Sequence, residues 1–409
     1  MNLFPSRVYA RKINLKTTGG IMRKSKLIFV TLLAVLLFPF FNPALPQKPE
    51  KVYSFVKVIK PIEWYLTQAE LWEKVIDNDR KNADAWLNFY TANRMASKTD
   101  KDVWEKKKGP GFMQPDDIVK EMEKEIPESF EYNDVKVWND GYQDEQNEKY
   151  LFKAYELAPD RPELYSSLVN YYEMKGDKAK EQEICKKWFE SNDQSANLLN
   201  YNYNVLMSLE DNGIIITNGD NDTYPLWILQ YALGIKKNVM VVNINLITVD
   251  SYRKKLFIEN NIPTDEFKAL EKPEQESIIQ HLISKSNRPV YFANTLYTGY
   301  YKKFEKDLYM VGLAFKYSKE SFDNLAVIRN NYERNFLVDY LKAGFQKDIS
   351  ETIMNGMNMG YLPFLIKLYD HYKLSGEGEK AAEIKKLAAM IIKKGDPEIN
   401  VDEWFKSKL

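Results

Sequence analysis

The stretch Ile214-Ile215-Ile216-Thr217-Asn218-Gly219-Asp220-Asn221-Asp222-Thr223-Tyr224-Pro225 decides how this chain is read. Its first four residues are apolar or β-branched, as a short buried strand requires. From Thr223 onward the sequence reads as a helix that Gly234 closes as a C-cap. Two carboxylates and two carboxamides stand between strand and helix. A strand that runs through a polar glycine turn into a helix is the layout of open α/β sheets, which bind ligands outside the carboxyl ends of their strands.

Working outward, residues 239–245 form a near-continuous apolar run, expected for a strand buried on both faces. Residues 289–293 read as a third strand, preceded by a helix over 274–284, and residues 308–315 as a fourth. Strand–helix–strand spacing implies parallel pairing with right-handed crossovers. The expected fold class is therefore α/β plus α: a small Rossmann-like parallel three-layer sheet over 209–320, flanked by tetratricopeptide-like helical hairpins over 47–208 and 321–409.

The strand ends carry the candidate ligand residues Asn218, Asp220, Asp222, Asn243, Asn245 and Asp250, with Asn221, Asn294 and Thr295 beside them. Oxygen-rich side chains at adjacent strand ends suit a hard cation such as magnesium or calcium, or the hydroxyls of a sugar. Asp220 or Asp222 is also placed to serve as a general base, but no acid partner accompanies it. The competing reading takes the larger weight. Asp and Asn shape turns and cap helices, and Asp222 or Thr223 as N-cap with Pro225 in the first turn fits that role. The stretch lacks the three spaced glycines of a dinucleotide fingerprint and the Gly-Lys-Ser/Thr of a phosphate loop. No cofactor is expected, with a divalent cation as the alternative.

Upstream, Glu148 to Pro159 and Pro162 to Phe189 follow the 34-residue tetratricopeptide pattern. Tyr165, Leu168 and Tyr172 take the first-helix positions, Gly176-Asp177 the turn, and Ala179, Ile184, Cys185 and Trp188 the inward face of the second helix. Trp86, Phe89 and Tyr90 mark an earlier first helix over 84–94. Near the C-terminus, Leu365, Leu368 and Tyr372, a turn at Gly376 and Gly378, then Ala381, Ile384 and Ala388 suggest a further hairpin. Residues 101–108 read as a solvated lysine-rich loop, and His281 as a structural residue on a helix edge. Such units bury their apolar faces only by stacking on neighbours. They serve either as scaffold or as a concave surface for a protein or peptide partner.

Composition narrows the function classes. Lys+Arg and Asp+Glu balance at 58 each, which removes the basic surplus of a nucleic-acid binder. Cys185 is the one cysteine and His281 and His371 the only histidines, so a disulfide, a thiolate cluster and a Ser-His-Asp triad are not expected. Arg23, Lys24 and Lys26 precede an apolar run over 27–41, the pattern of a signal peptide or N-terminal anchor over 22–46. Met22 then reads as the start, with 1–21 an upstream extension. No cysteine closes the apolar run, so no lipoprotein anchor is expected.

Residues 217–227, the Gly234-Ile235 and Val239 to Asn243 that follow, Arg288 to Phe292 and Val311 to Ala314 together resemble the soluble C-terminal region of bacterial multi-spanning membrane proteins of the protein O-mannosyltransferase type. The later helical unit over 358–388 extends the resemblance, which covers residues 205–390. It implies an extracytoplasmic α/β-plus-repeat module. It does not bring glycosyl transfer with it, because that activity belongs to the family's multi-spanning part. The expectation is an exported, periplasmic or membrane-anchored, non-catalytic interaction or accessory protein of the cell envelope, touching the membrane only through its N-terminal segment. The alternative is a sugar- or cation-binding protein or enzyme that uses the Asp/Asn cluster.

Overall fold

A computed structural model describes residues 48–141, 145–264, 274–343 and 348–408. The expected upstream extension and signal segment lie outside the described residues. From Pro49 on, the chain forms one compact unit, mostly helical, with one small mixed sheet. Among the described residues no helix is long and apolar enough to cross a membrane.

The strands are β1 (Ile214–Thr217), β2 (Met240–Asn243), β3 (Val290–Ala293), β4 (Leu308–Met310) and β5 (Ala314–Tyr317), ordered β2-β1-β3-β5-β4. β1 pairs parallel with both β2 and β3, with Ile215 opposite Val241 and Tyr291. The expected parallel sheet therefore holds for three strands and fails at the edge. Residues 308–315 are not one strand. The chain reverses at Gly312, whose φ of +132° is open to glycine, and β5 returns antiparallel to both β3 and β4. A Cβ at Gly312 would stand 2.6 Å from Ser208 Oγ and 2.7 Å from Phe336 Cζ, so the reversal also depends on close packing.

α1 (Ile62–Asn78), α2 (Ala83–Thr99), α3 (Lys101–Lys106), α4 (Pro115–Glu125) and α5 (Phe130–Asp140) come first. α6 (Glu148–Leu157), α7 (Tyr165–Lys175), α8 (Lys178–Glu190) and α9 (Ala196–Met207) lead into the sheet. α10 (Tyr224–Leu233) joins β1 to β2, and α11 (Asp250–Glu259) and α12 (Gln275–Lys285) lie between β2 and β3. α13 (Asn324–Asn330) follows the sheet. The C-terminal hairpin is Leu362–Leu374 followed by Gly378–Gly395.

The sheet carries apolar layers on both faces. Ile214, Ile216, Val242 and Phe292 pack with Tyr252, Phe257, Ile278 and Leu282 of α11 and α12. Ile215, Val241 and Tyr291 face the other way, into a core shared with α7 to α10 and the C-terminal hairpin. Fully burying each such side chain contributes about 1.5–3 kcal/mol. A separate core joins Val52 to α1, α2, α4 and α5 around Trp86, Phe89 and Tyr90. Asn204 of α9 donates to Tyr361 Oη at 2.7 Å and to Leu337 O at 2.8 Å, which ties the C-terminal helices to the middle of the chain.

Local expectations fare unevenly. Gly176 and Gly376 adopt φ of +78° at their turns, and Gly234 closes α10 at +74°. Gly378, however, is the first residue of its helix rather than part of the turn. Ala179 is exposed, and Glu181 takes the inward position in its place. The acid is tolerated there because Lys178 reaches both it and Glu173. The lysine-rich stretch begins as α3, N-capped by Asp100 with Val103 N at 3.0 Å, because Trp104 is anchored at 2% exposure. Cys185 and His281 are buried; the His281 ring stacks on Phe257.

Candidate functional site

The turn after β1 is built around Asp222. Its Oδ2 accepts from Asn218 N at 2.9 Å and its Oδ1 from Gly219 N at 2.7 Å, while the Thr295 hydroxyl donates to Oδ2. One carboxylate thus ties the end of β1 to the loop after β3. Burial raises its pKa against the pull of those three donors. Beneath it, Thr223 Oγ1 shares a hydrogen with Thr217 Oγ1 at 2.7 Å and accepts from Asn243 Nδ2 at 3.0 Å. Thr223 begins α10 without a side-chain cap, and Pro225 lies in the first turn. Asp222 caps the loop behind it rather than the helix ahead.

The remaining candidates do not converge on one space. Asn243 Oδ1 accepts from Asn245 N at 2.9 Å and Leu246 N at 3.1 Å, shaping the turn after β2. Asn245 Nδ2 donates to Asn218 O at 3.2 Å. Asp250 opens α11 and pairs with Arg253 and Lys254. Asn294 accepts from Tyr201 Oη at 2.8 Å and donates to Gly360 O at 3.2 Å. Asn218 Oδ1 accepts from Tyr297 N at 3.4 Å. Among the described residues no group of three or more His, Cys, Asp or Glu side chains is placed to hold a metal. The oxygens of Asp222 are already engaged by donors, so the strand ends do not offer the converging donor set a hard cation takes.

Asp220 differs. Its carboxylate makes no ion pair among the described residues and opens into a cleft of about 1490 Å³ that also reaches Asn218, Asn221, Asp222 and Thr295. Asp220 is solvent-exposed at the cleft. The lost hydration, with the nearby Asp222 carboxylate, raises its pKa, and Lys98 opposes the rise. Lys98 stands in the same cleft with its pKa lowered by burial and by Arg94. An acid and a base in one cleft, each pushed toward its neutral form, mark a site candidate.

Three of the helices that line the cleft each present a stripe of residues to it. α2 presents Asp84, Leu87, Asn88, Thr91, Arg94 and Lys98. α5 presents Asp134, Val137 and Trp138, and Glu163, Ser166 and Asn170 run along the start of α7. The spacing of three and four residues places each set on one helix face. A strap over residues 49–57, which turns at residues 55–57, also lines the cleft. Val52 N donates to Asn88 Oδ1 at 2.7 Å, Lys51 pairs with Glu163 at 3.0 Å, Lys57 pairs with Asp193, and Asn221 Nδ2 donates to Val56 O at 3.1 Å. The rings of Trp72, Trp138, Trp188 and Tyr224 also face the cleft.

Sequence reasoning missed the helical walls. Asp84, Asp134 and Asn170 were not singled out, although a polar residue on the apolar side of an otherwise regular helix was the available signal.

The family model described as TMEM260-associated domain 2 matches residues 198–264, the span from α9 through β1, the polar turn, α10 and β2 to the end of α11. No curated protein matches the chain.

Proposed function

We propose that this chain is a non-catalytic binding protein of the cell envelope whose cleft takes a neutral, hydroxyl-rich ligand, an oligosaccharide or a glycosylated segment of a partner. One observation carries the reading: Asp220, at the strand-end turn, opens into a deep cleft walled by carboxylates, amides and aromatic rings, while its neighbour Asp222 is used up by the fold. Amides and carboxylates meet hydroxyl groups, and ring faces meet the apolar faces of sugars, as in pockets lined by aromatic residues with a few placed polar groups. The resemblance of the turn region to the soluble part of O-mannosyltransferase-type proteins supports an extracytoplasmic module, and the match to TMEM260-associated domain 2 over 198–264 falls on the same region. The parallel half of the sheet fits a Rossmann-like arrangement and the hairpins a tetratricopeptide-like scaffold. The basic residues and apolar run over 22–46 support export or anchoring.

A second reading, a peptide-binding groove, is favoured by the strap: a segment of the chain already lies against the cleft through backbone bonds, Val52 N to Asn88 of α2 and Val56 O to Asn221 of the turn.

An array of neutral hexose oligosaccharides, two to six units long, tests the first reading with wild type and Asp220→Ala. Binding by wild type, weakened tenfold or more in the variant at unchanged circular dichroism, is expected. A blank array for wild type sinks the carbohydrate reading and leaves the peptide groove.

A further inference from the structure

The helical lining of the cleft holds two buried polar groups that the fold leaves unanswered. Asp134 on α5 is 1% exposed and Asn170 on α7 is 6% exposed, and both line the cleft. Neither Asp134 Oδ1 nor Asn170 Oδ1 has a hydrogen-bond partner among the described residues. Asn170 is held in place from its other side, because its Nδ2 donates to Tyr224 Oη at the start of α10. In that orientation its carbonyl oxygen is the end of the amide left as an acceptor.

Leaving a buried acceptor without a donor is costly, so native folds seldom do it without a reason. Beside the turn, Asp222 receives three donors and Asn243 Oδ1 two, while Asn202 Oδ1 of α9, which does not line the cleft and whose Nδ2 donates to Asn221 O, also lacks a partner among the described residues. Two unanswered acceptors on adjacent cleft walls are a different situation. Both are acceptors, and both lack a hydrogen rather than an oxygen.

We propose that Asp134 and Asn170 form an inner subsite that receives hydroxyl hydrogens of the cleft's ligand. This rests on the reading of the cleft as a site for a hydroxyl-rich molecule and assigns it a second point of recognition besides Asp220.

The surroundings of Asp134 add a consequence. Burial, the carboxylates of Glu163 and Glu131 and the opposing guanidinium of Arg161 bring its pKa to about 7. Lys51 of the strap holds Glu163, Arg161 pairs with both Glu131 and Glu163, and Tyr90 and Arg94 of α2 pack nearby. A hydroxyl hydrogen directed at Asp134 favours the carboxylate over the acid. Binding then lowers the midpoint, so affinity is highest above pH 7 and falls as pH drops through it, by at most tenfold per pH unit.

Carbon-13 NMR of the aspartate carboxyls in the full chain reads this directly. The Asp134 midpoint is followed without ligand, with the array's tightest oligosaccharide, and with molar glycerol as a minimal polyol. A fall of half a pH unit or more with either probe is expected, and Asn170→Ala reduces it. A midpoint unmoved by both probes overturns the subsite. The two failures are separable: a blank array with a glycerol-shifted Asp134 removes only the carbohydrate reading, and oligosaccharide binding with Asp134 unmoved removes only the subsite. Calorimetry adds a second readout, an oligosaccharide affinity that falls below pH 7 in wild type and is flat in Asp134→Asn. A slope shared by both proteins counts against the proposal.

Discussion

The two walls of the cleft use polar residues in opposite ways. On the sheet side, Asp222 and Thr295, with Asn243 and Asn294 behind them, spend their hydrogen bonds on neighbouring side chains and on the backbone. On the helical side, Asp134 and Asn170 are buried with acceptors to spare. The cluster that stands out in the sequence is therefore mostly architecture. The residues left over for a ligand are scattered at helical spacing, where nothing in the local sequence advertises them. Density of polar residues marks a place where the backbone needs help; unanswered polar groups mark a place where something else is expected.

The largest test of this contrast is Asp222→Ala. Removing a buried carboxylate that holds two backbone amides and a hydroxyl should destabilise the protein by about 3–5 kcal/mol, read as a lower urea midpoint. A loss below about 1 kcal/mol would place Asp222 with the ligand rather than with the fold.

Next comes Asp134→Asn. The native pKa of Asp134 is raised above the ordinary carboxylate value, so the folded state holds its proton more tightly than the unfolded chain. Stability from this group is full below about pH 4, declines as pH rises to about 7, and is level above. An asparagine cannot ionise, so the variant should match wild type near pH 4 and exceed it by about 2–4 kcal/mol at pH 8. Parallel stability curves across that range would show that Asp134 is not the strained group of the helical wall.

Asn243→Ala removes one donor and one acceptor serving three partners, and should cost about 1–2 kcal/mol, with any oligosaccharide affinity unchanged. A change in affinity without one in stability would move Asn243 into the site. The smallest stability effect belongs to Asp220→Asn, expected within about 0.5 kcal/mol of wild type. If its urea midpoint drops as far as that of Asp222→Ala, the two carboxylates are one structural unit and the division between them fails.

Periodicity made much of the frame legible. The run Ile214 to Thr217 could be little other than a strand buried on both faces, and Gly234 after a ten-residue apolar helix could be little other than its cap. The edge of the sheet was not legible, since Leu308 to Phe315 reads as one apolar run. Only the need to fit Gly312 between Ser208 and Phe336 breaks it into a hairpin. Trp104 likewise turned a lysine-rich stretch into a helix, because one ring found a buried slot that residue spacing alone does not reveal.

For the site, the sequence alone determined that Asp220 and Asp222 would stand at the carboxyl end of β1, because local propensity and turn chemistry act over a few neighbouring residues. Only the tertiary structure decided which of the two is consumed. Asp222 meets Thr295, 73 residues away, and Asp220 meets open space. It also brought Asp84, Asp134 and Asn170 to one cleft, since which side of a helix faces a cavity depends on every helix packed behind it.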